Sequence, residues 1–105
     1  MAGNIEVLTS KNFNSTIAKG SVIVDFYADW CGPCKIMAPS FEKASHKVPS
    51  VKFAKLNVDG AQEIAQSFGV MSIPSTIAFK NGTAVDMRVG ALSENDIVKM
   101  AEKIK

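Results

Sequence analysis

Residues 21–35 read SVIVDFYADWCGPCK. From Ser21 to Ala28 the chain is a near-continuous run of β-branched, aromatic and small apolar residues, the pattern of a strand covered on both faces; only Asp25 breaks it. From Pro33 to Val48, Ile36, Met37, Phe41 and Ala44 recur at helical spacing. A proline is tolerated in a first helical turn, where its missing N–H would have no partner anyway. A second one, Pro39, lies inside the helix, removes the bond to the Lys35 carbonyl and predicts a kink. A buried strand handing over directly to a helix is a unit of α/β architecture. The handover, Cys31-Gly32-Pro33-Cys34, falls at the carboxyl edge of the sheet, where open α/β folds tend to hold their sites.

The flanking sequence extends the same alternation. Ile5–Leu8 reads as a short strand, after which Thr9 or Ser10 is the expected cap of a helix carrying Phe13 and Ile17 and ending near Gly20. VKFAKLNV at 51–58 is a third strand, and Asp59 with Gln62 resembles a capping box opening a helix through Ile64 and Phe68 that stops at Gly69. STIAFK and TAVDMRV flank Asn81-Gly82, a strong short-range hairpin signal. Ser93, with Asp96 three residues on, opens a last helix whose buried stripe is Ile97, Met100, Ala101 and Ile104. The order β-α-β-α-β-α-β-β-α predicts an α/β fold, a mixed five-stranded sheet flanked by four helices.

Length and composition suit one domain over 1–105: 105 residues at 47% hydrophobic composition bury about two thirds of their unfolded surface without a metal or a covalent staple. No repeat, low-complexity tract or linker interrupts the chain. The 12 basic and 10 acidic residues are scattered, and a net charge of +2 gives no reason to expect nucleic acid or an anionic membrane as partner. Met1-Ala2-Gly3-Asn4-Ile5-Glu6 has no basic segment followed by a long apolar run, and no stretch reaches the roughly 18 apolar residues of a membrane span. A soluble, unexported, cytoplasmic monomer is expected.

The chain has only two cysteines, Cys31 and Cys34. The entropic gain from a disulfide grows with the loop it closes, and this loop is minimal, so a structural staple is a poor reading. Residues three apart on a helix have Cβ atoms roughly 5–6 Å apart, close to what a disulfide needs, so the pair can open and close with little backbone movement. Cys31 precedes the first helical turn, where unpaired N–H groups and the positive end of the dipole favour a thiolate. Cys34 lies deeper. The expectation is an exposed Cys31 that attacks and a sheltered Cys34 that resolves. An ordinary thiol, with a pKa near 8.5, is only about 3% thiolate at pH 7, so lowering the pKa toward ambient pH multiplies the attacking species more than tenfold. A zinc site uses the same Cys spacing but needs a second ligand pair, and His46 is the only histidine, so no metal is expected. Asp25, a carboxylate inside an apolar strand, is costly unless paired or protonated, and burial raises its pKa into the range useful for proton exchange. Met37 and Met71 are read as packing residues.

FYADWCGPCK, with SIPS forty residues later, resembles the thioredoxin family, and the match runs over essentially the whole chain. The resemblance implies a thioredoxin fold and a thiol–disulfide oxidoreductase that reduces protein disulfides. Cys31 would form a mixed disulfide with the client and Cys34 would attack it. Asp25 would be the proton acceptor for Cys34, with Lys55 on the adjoining strand as charge partner. It also implies a cis Ile73–Pro74 bond lying against the cysteines, and a client-docking surface made of Trp30, Gly32, Pro33, Ile73, Pro74 and the Val89-Gly90-Ala91 turn. No cofactor would be bound, electrons coming from NADPH through a separate thioredoxin reductase. The chain itself shows no glycine-rich dinucleotide fingerprint. Two positions depart from the family pattern: Tyr27 stands where many relatives have tryptophan, and Ser75 where threonine commonly follows the cis proline. Against the reductant stand a disulfide-forming or isomerising domain, which favours an oxidising compartment, and a binding module that uses the surface without redox turnover.

Overall fold

The computed structural model describes residues 4–105; Met1, Ala2 and Gly3 of the opening stretch lie outside the described residues. Five strands form one sheet in the order β1-β3-β2-β4-β5: β1 (Ile5–Leu8), β2 (Ser21–Tyr27), β3 (Lys52–Asn57), β4 (Ser75–Lys80) and β5 (Thr83–Val89). β3 runs parallel to both β1 and β2, whereas β4 is antiparallel to β2 and to β5. Four α-helices intervene as expected: α1 (Phe13–Ile17), α2 (Gly32–Lys47), α3 (Gln62–Ser67) and α4 (Glu94–Glu102).

The alternation of side chains along each strand splits the core in two. Val22, Val24, Phe26, Ala54, Leu56, Ile77 and Phe79 face α1 and α3, where Phe13 packs edge-on against both Phe26 and Phe79. Ile23, Phe53 and Ala78 face α2 and α4, meeting Met37, Phe41, Ile97 and Met100. Such apolar contacts on both faces are what a near-continuous apolar strand such as β2 requires. Asp25 lies between Ile23 and Tyr27 and so belongs to the α2–α4 face.

Two expected helix starts are displaced. α1 begins after Asn12, not at a Thr9 or Ser10 cap: the Asn12 carboxamide accepts the Thr9 N–H at 2.7 Å, and the Thr9 carbonyl accepts the Phe13 N–H at 3.1 Å. Thr9 does make cap-like bonds one turn ahead of the helix, its Oγ1 accepting the Lys11 N–H at 3.2 Å while Asn12 takes the Thr9 N–H. The Asp59–Gln62 box does not form either. The chain first makes a single 3-10 turn at Val58–Gly60, capped by Asn57, whose side chain accepts the Asp59 N–H at 2.9 Å, and α3 starts only after Ala61. Ser93 caps α4 as expected, accepting the Asp96 N–H at 3.1 Å. Pro39 lies within α2. The β4–β5 turn places Asn81 and Gly82 at φ of 51° and 88°, the conformation that the Asn-Gly pair adopts most readily in a two-residue hairpin loop. Among the described residues no helix is long and apolar enough to cross a membrane.

Candidate active site

β2 ends at Tyr27, and after three intervening residues the chain enters α2 with Cys31 as the capping residue. Cys31 and Cys34 are joined as a disulfide with Cα atoms 5.3 Å apart. The Cys31 sulfur accepts the Cys34 N–H at 3.2 Å, so one of the free donors of the helix entrance is spent on this sulfur. The expected contrast in exposure is absent: both cysteines are 4% exposed. Ala28 is buried with them, and Tyr27, Val58 and Ile73 pack against the group. The Cys31 sulfur lies 3.8 Å from the Ile73 carbonyl oxygen. What distinguishes the two sulfurs is position: Cys31 sits at the mouth of the helix and Cys34 one turn in.

The Ile73–Pro74 bond is cis, and Pro74 accepts the Gly90 N–H through its carbonyl at 2.8 Å, tying the β5 exit to the loop beside the disulfide. Gly90 has φ of 99°, a backbone conformation in which a side chain is strained. Around the bridge Trp30, Gly32 and Pro33 are exposed, as is Val89, while Ile73 is half-buried. The structure thus gathers the cysteines, Trp30, Gly32, Pro33, Ile73, Pro74 and Gly90 at one edge of the sheet. Trp30 is fixed by a bond that its sequence does not announce: its indole N–H donates to Asp59 at 2.9 Å. Asp59 itself lies inside the 3-10 turn, two residues before the Ala61 that precedes α3. A groove of about 480 Å³ opens beside Trp30 and is lined by Val58, Gln62, Met71, Ser72 and Ile73 among others. Met71 rims it at 97% exposure, which overturns its reading as a packing residue; Met37, at 1%, does pack. His46 is exposed and lies 2.9 Å from the Asn4 carboxamide.

Asp25, two residues before the Tyr27 that packs against the cysteines, is buried in register with Lys55 on β3 and Thr76 on β4. Desolvation pushes its pKa from 3.8 up to about 7, and the Lys55 ammonium pulls the other way. A cavity of about 320 Å³ lined by Asp25, Lys55, Lys35, Pro39 and Glu42 connects the carboxyl group to the α2 side. The Lys55 ammonium also lies 5.3 Å above the Tyr27 ring, and the Tyr27 hydroxyl is shifted upward by burial, then by Asp29 and Asp25. Period-2 counting alone could not fix the facing of Lys55; the parallel register does.

A reversible two-residue disulfide at a helix entrance, beside a cis proline and a buried carboxyl group, on a mixed sheet of this order, defines a thiol–disulfide oxidoreductase. The thioredoxin family model matches residues 4–103. The thioredoxin of Chlamydia muridarum is 40% identical over 99 residues, covering 94% of this chain and 97% of that one. Thioredoxin-1 of Saccharomyces cerevisiae is 48% identical over 84 residues, 79% of this chain and 82% of its own. In structure, mitochondrial thioredoxin 3 of Saccharomyces cerevisiae in its oxidised form superposes with a TM-score of 0.87 at 32% identity, covering 97% of each chain. The chain belongs to the thioredoxin family and is a protein-disulfide oxidoreductase. Members exchange electrons through their own sulfurs, need no bound cofactor and act on proteins that carry disulfides.

Proposed function

We propose that this single-domain protein is a general reductant of protein disulfides in the cytoplasm, recharged by a separate thioredoxin reductase that draws electrons from NADPH. The observation that carries the reading is the Cys31–Cys34 bridge at the entrance of α2, its Cys31 sulfur already accepting a main-chain N–H at 3.2 Å. In the reduced protein the same donor and the helix dipole stabilise a Cys31 thiolate. That thiolate attacks one sulfur of a client disulfide, forming the Cys31–client mixed disulfide and releasing the other client sulfur as a thiolate. Cys34 then gives its proton to the Asp25 carboxylate and attacks the Cys31 sulfur. The Cys31–Cys34 bond forms, the client leaves fully reduced, and two electrons have passed from the dithiol to the client. A carboxyl group with a pKa of about 7 takes up and returns a proton near neutral pH. Lys55 is the charge that keeps Asp25 from climbing further.

Client docking falls to the surface around the bridge. Trp30, Gly32 and Pro33 supply apolar contact, and an extended client segment pairs with the Ile73 main chain beside Pro74 and Gly90. The working pair must be kept reduced, which favours a compartment that holds thiols reduced. The test is NADPH-coupled reduction of insulin disulfides with a thioredoxin reductase. Sustained turnover by the wild type and none by Cys31→Ser is expected. Turnover retained by Cys31→Ser, or an equilibrium potential more oxidising than that of the glutathione pool, would overturn the reductant.

A further inference from the structure

Among the described residues two buried side-chain oxygens have no hydrogen-bond partner, Asp25 Oδ1 and Thr76 Oγ1. They belong to residues directly opposed across the β2–β4 ladder. Opposed residues of an antiparallel pair project from the same face, with Cβ atoms about 4.5–5.5 Å apart. Thr76 is 0% exposed and Asp25 4%. Each group is what the other lacks, since a hydroxyl can donate and a carboxylate can only accept. Buried polar atoms are nearly always paired, and two orphans facing each other at one site call for a functional account.

We propose that Thr76 is a positioning residue for Asp25, its hydroxyl turning to donate to Asp25 Oδ1 when the carboxyl group ionises. With Asp25 protonated the hydroxyl has no charged acceptor to turn to, and the two oxygens stay unpaired. When Cys34 is to be deprotonated, the ionised carboxylate is held by Thr76 on one side of the strand and faces the Lys55 charge on the other. The remaining groups about this site do not replace the hydroxyl. Lys35 and Glu42 of α2 line the outer cavity with Lys55, Tyr27 lies two residues along β2, and α4 contributes Ile97, Met100 and Ala101 to the core on this face. A donor to the charged form lowers an acid's pKa, so a bond from Thr76 opposes the upward drive of burial.

The proposal rests on the reading of Asp25 as proton acceptor, and the test separates the two. The carboxyl carbon of Asp25 is followed by NMR through a pH titration in the reduced wild type, Thr76→Val and Thr76→Ser, alongside the pH profile of insulin reduction in these and in Asp25→Asn. Valine matches the shape of threonine without its hydroxyl, and unfolding curves verify that it folds. The Asp25 midpoint is expected to rise by about one pH unit in Thr76→Val, about a tenfold loss of ionised fraction below the midpoint, and to return in Thr76→Ser. The activity profile should shift with it. An unmoved midpoint in Thr76→Val overturns the proposal whatever the other variant does. A profile that Asp25→Asn leaves unchanged overturns the proton-acceptor reading, and the role of Thr76 with it.

Discussion

A carboxyl group that titrates at 3.8 in an unfolded chain and at about 7 when folded binds a proton in the native state over the interval between those values. The native state then holds more protons than the unfolded one, so stability falls as pH rises through that window and is level outside it. At about 1.4 kcal/mol per pH unit the loss by pH 8 is on the order of 4 kcal/mol. Asp25→Asn is therefore expected to raise the unfolding free energy of the oxidised protein by about 2–4 kcal/mol at pH 8 and to leave it nearly unchanged at pH 3.5. Urea unfolding at the two pH values measures this, and an equal effect at both would show that burial of the charge is not the cause. Asp25 was legible in the sequence because it is the only charge in an apolar run. Thr76 was not: threonine is an ordinary strand former, and its relation to Asp25 exists only once β4 is laid antiparallel to β2 in a particular register.

The elements that carry the site were readable where one local signal acted alone. The Asn81-Gly82 turn, the Ser93 cap and the apolar run of β2 each met no competitor. The starts of α1 and α3 were misread because Asn12 and Asn57 offer the backbone side-chain bonds that no periodicity reveals. Asp59 lies within the 3-10 turn that Asn57 caps, and its carboxylate accepts from the Trp30 indole instead. Two predictions belong at this scale. Ser93→Ala removes one cap bond and should cost about 1 kcal/mol in denaturant unfolding, with insulin reduction unchanged. Asp59→Ala frees Trp30 at the rim of the groove and is expected to raise the KM for protein clients a few-fold while shifting the unfolding free energy by no more than about 1 kcal/mol. A reduced kcat at constant KM would instead mean that Asp59 acts on the chemistry.

At the scale of the whole molecule, the arrangement of five strands and four helices followed from the alternation of apolar runs and turn signals, and the structure reproduces it. The assembly of the site did not follow from that alternation. Cys31, Ile73 and Gly90 are far apart in the chain and meet because β2 and β4 are neighbours at the sheet's centre and β5 returns beside the Pro74 loop. The family resemblance supplied the cis bond at Pro74, which an X–Pro pair by itself would not have suggested. The near-equal burial of the two cysteines leaves their division of labour to be decided by helix position alone. Trapping measures it directly. Cys31→Ser and Cys34→Ser are each incubated in reduced form with insulin, and the covalent adducts are mapped by mass spectrometry. A stable client adduct on Cys31 in Cys34→Ser, with none on Cys34 in Cys31→Ser, is the expected result. Adducts that accumulate equally on either cysteine, or on Cys34 alone, would contradict a nucleophile set by the entrance of α2.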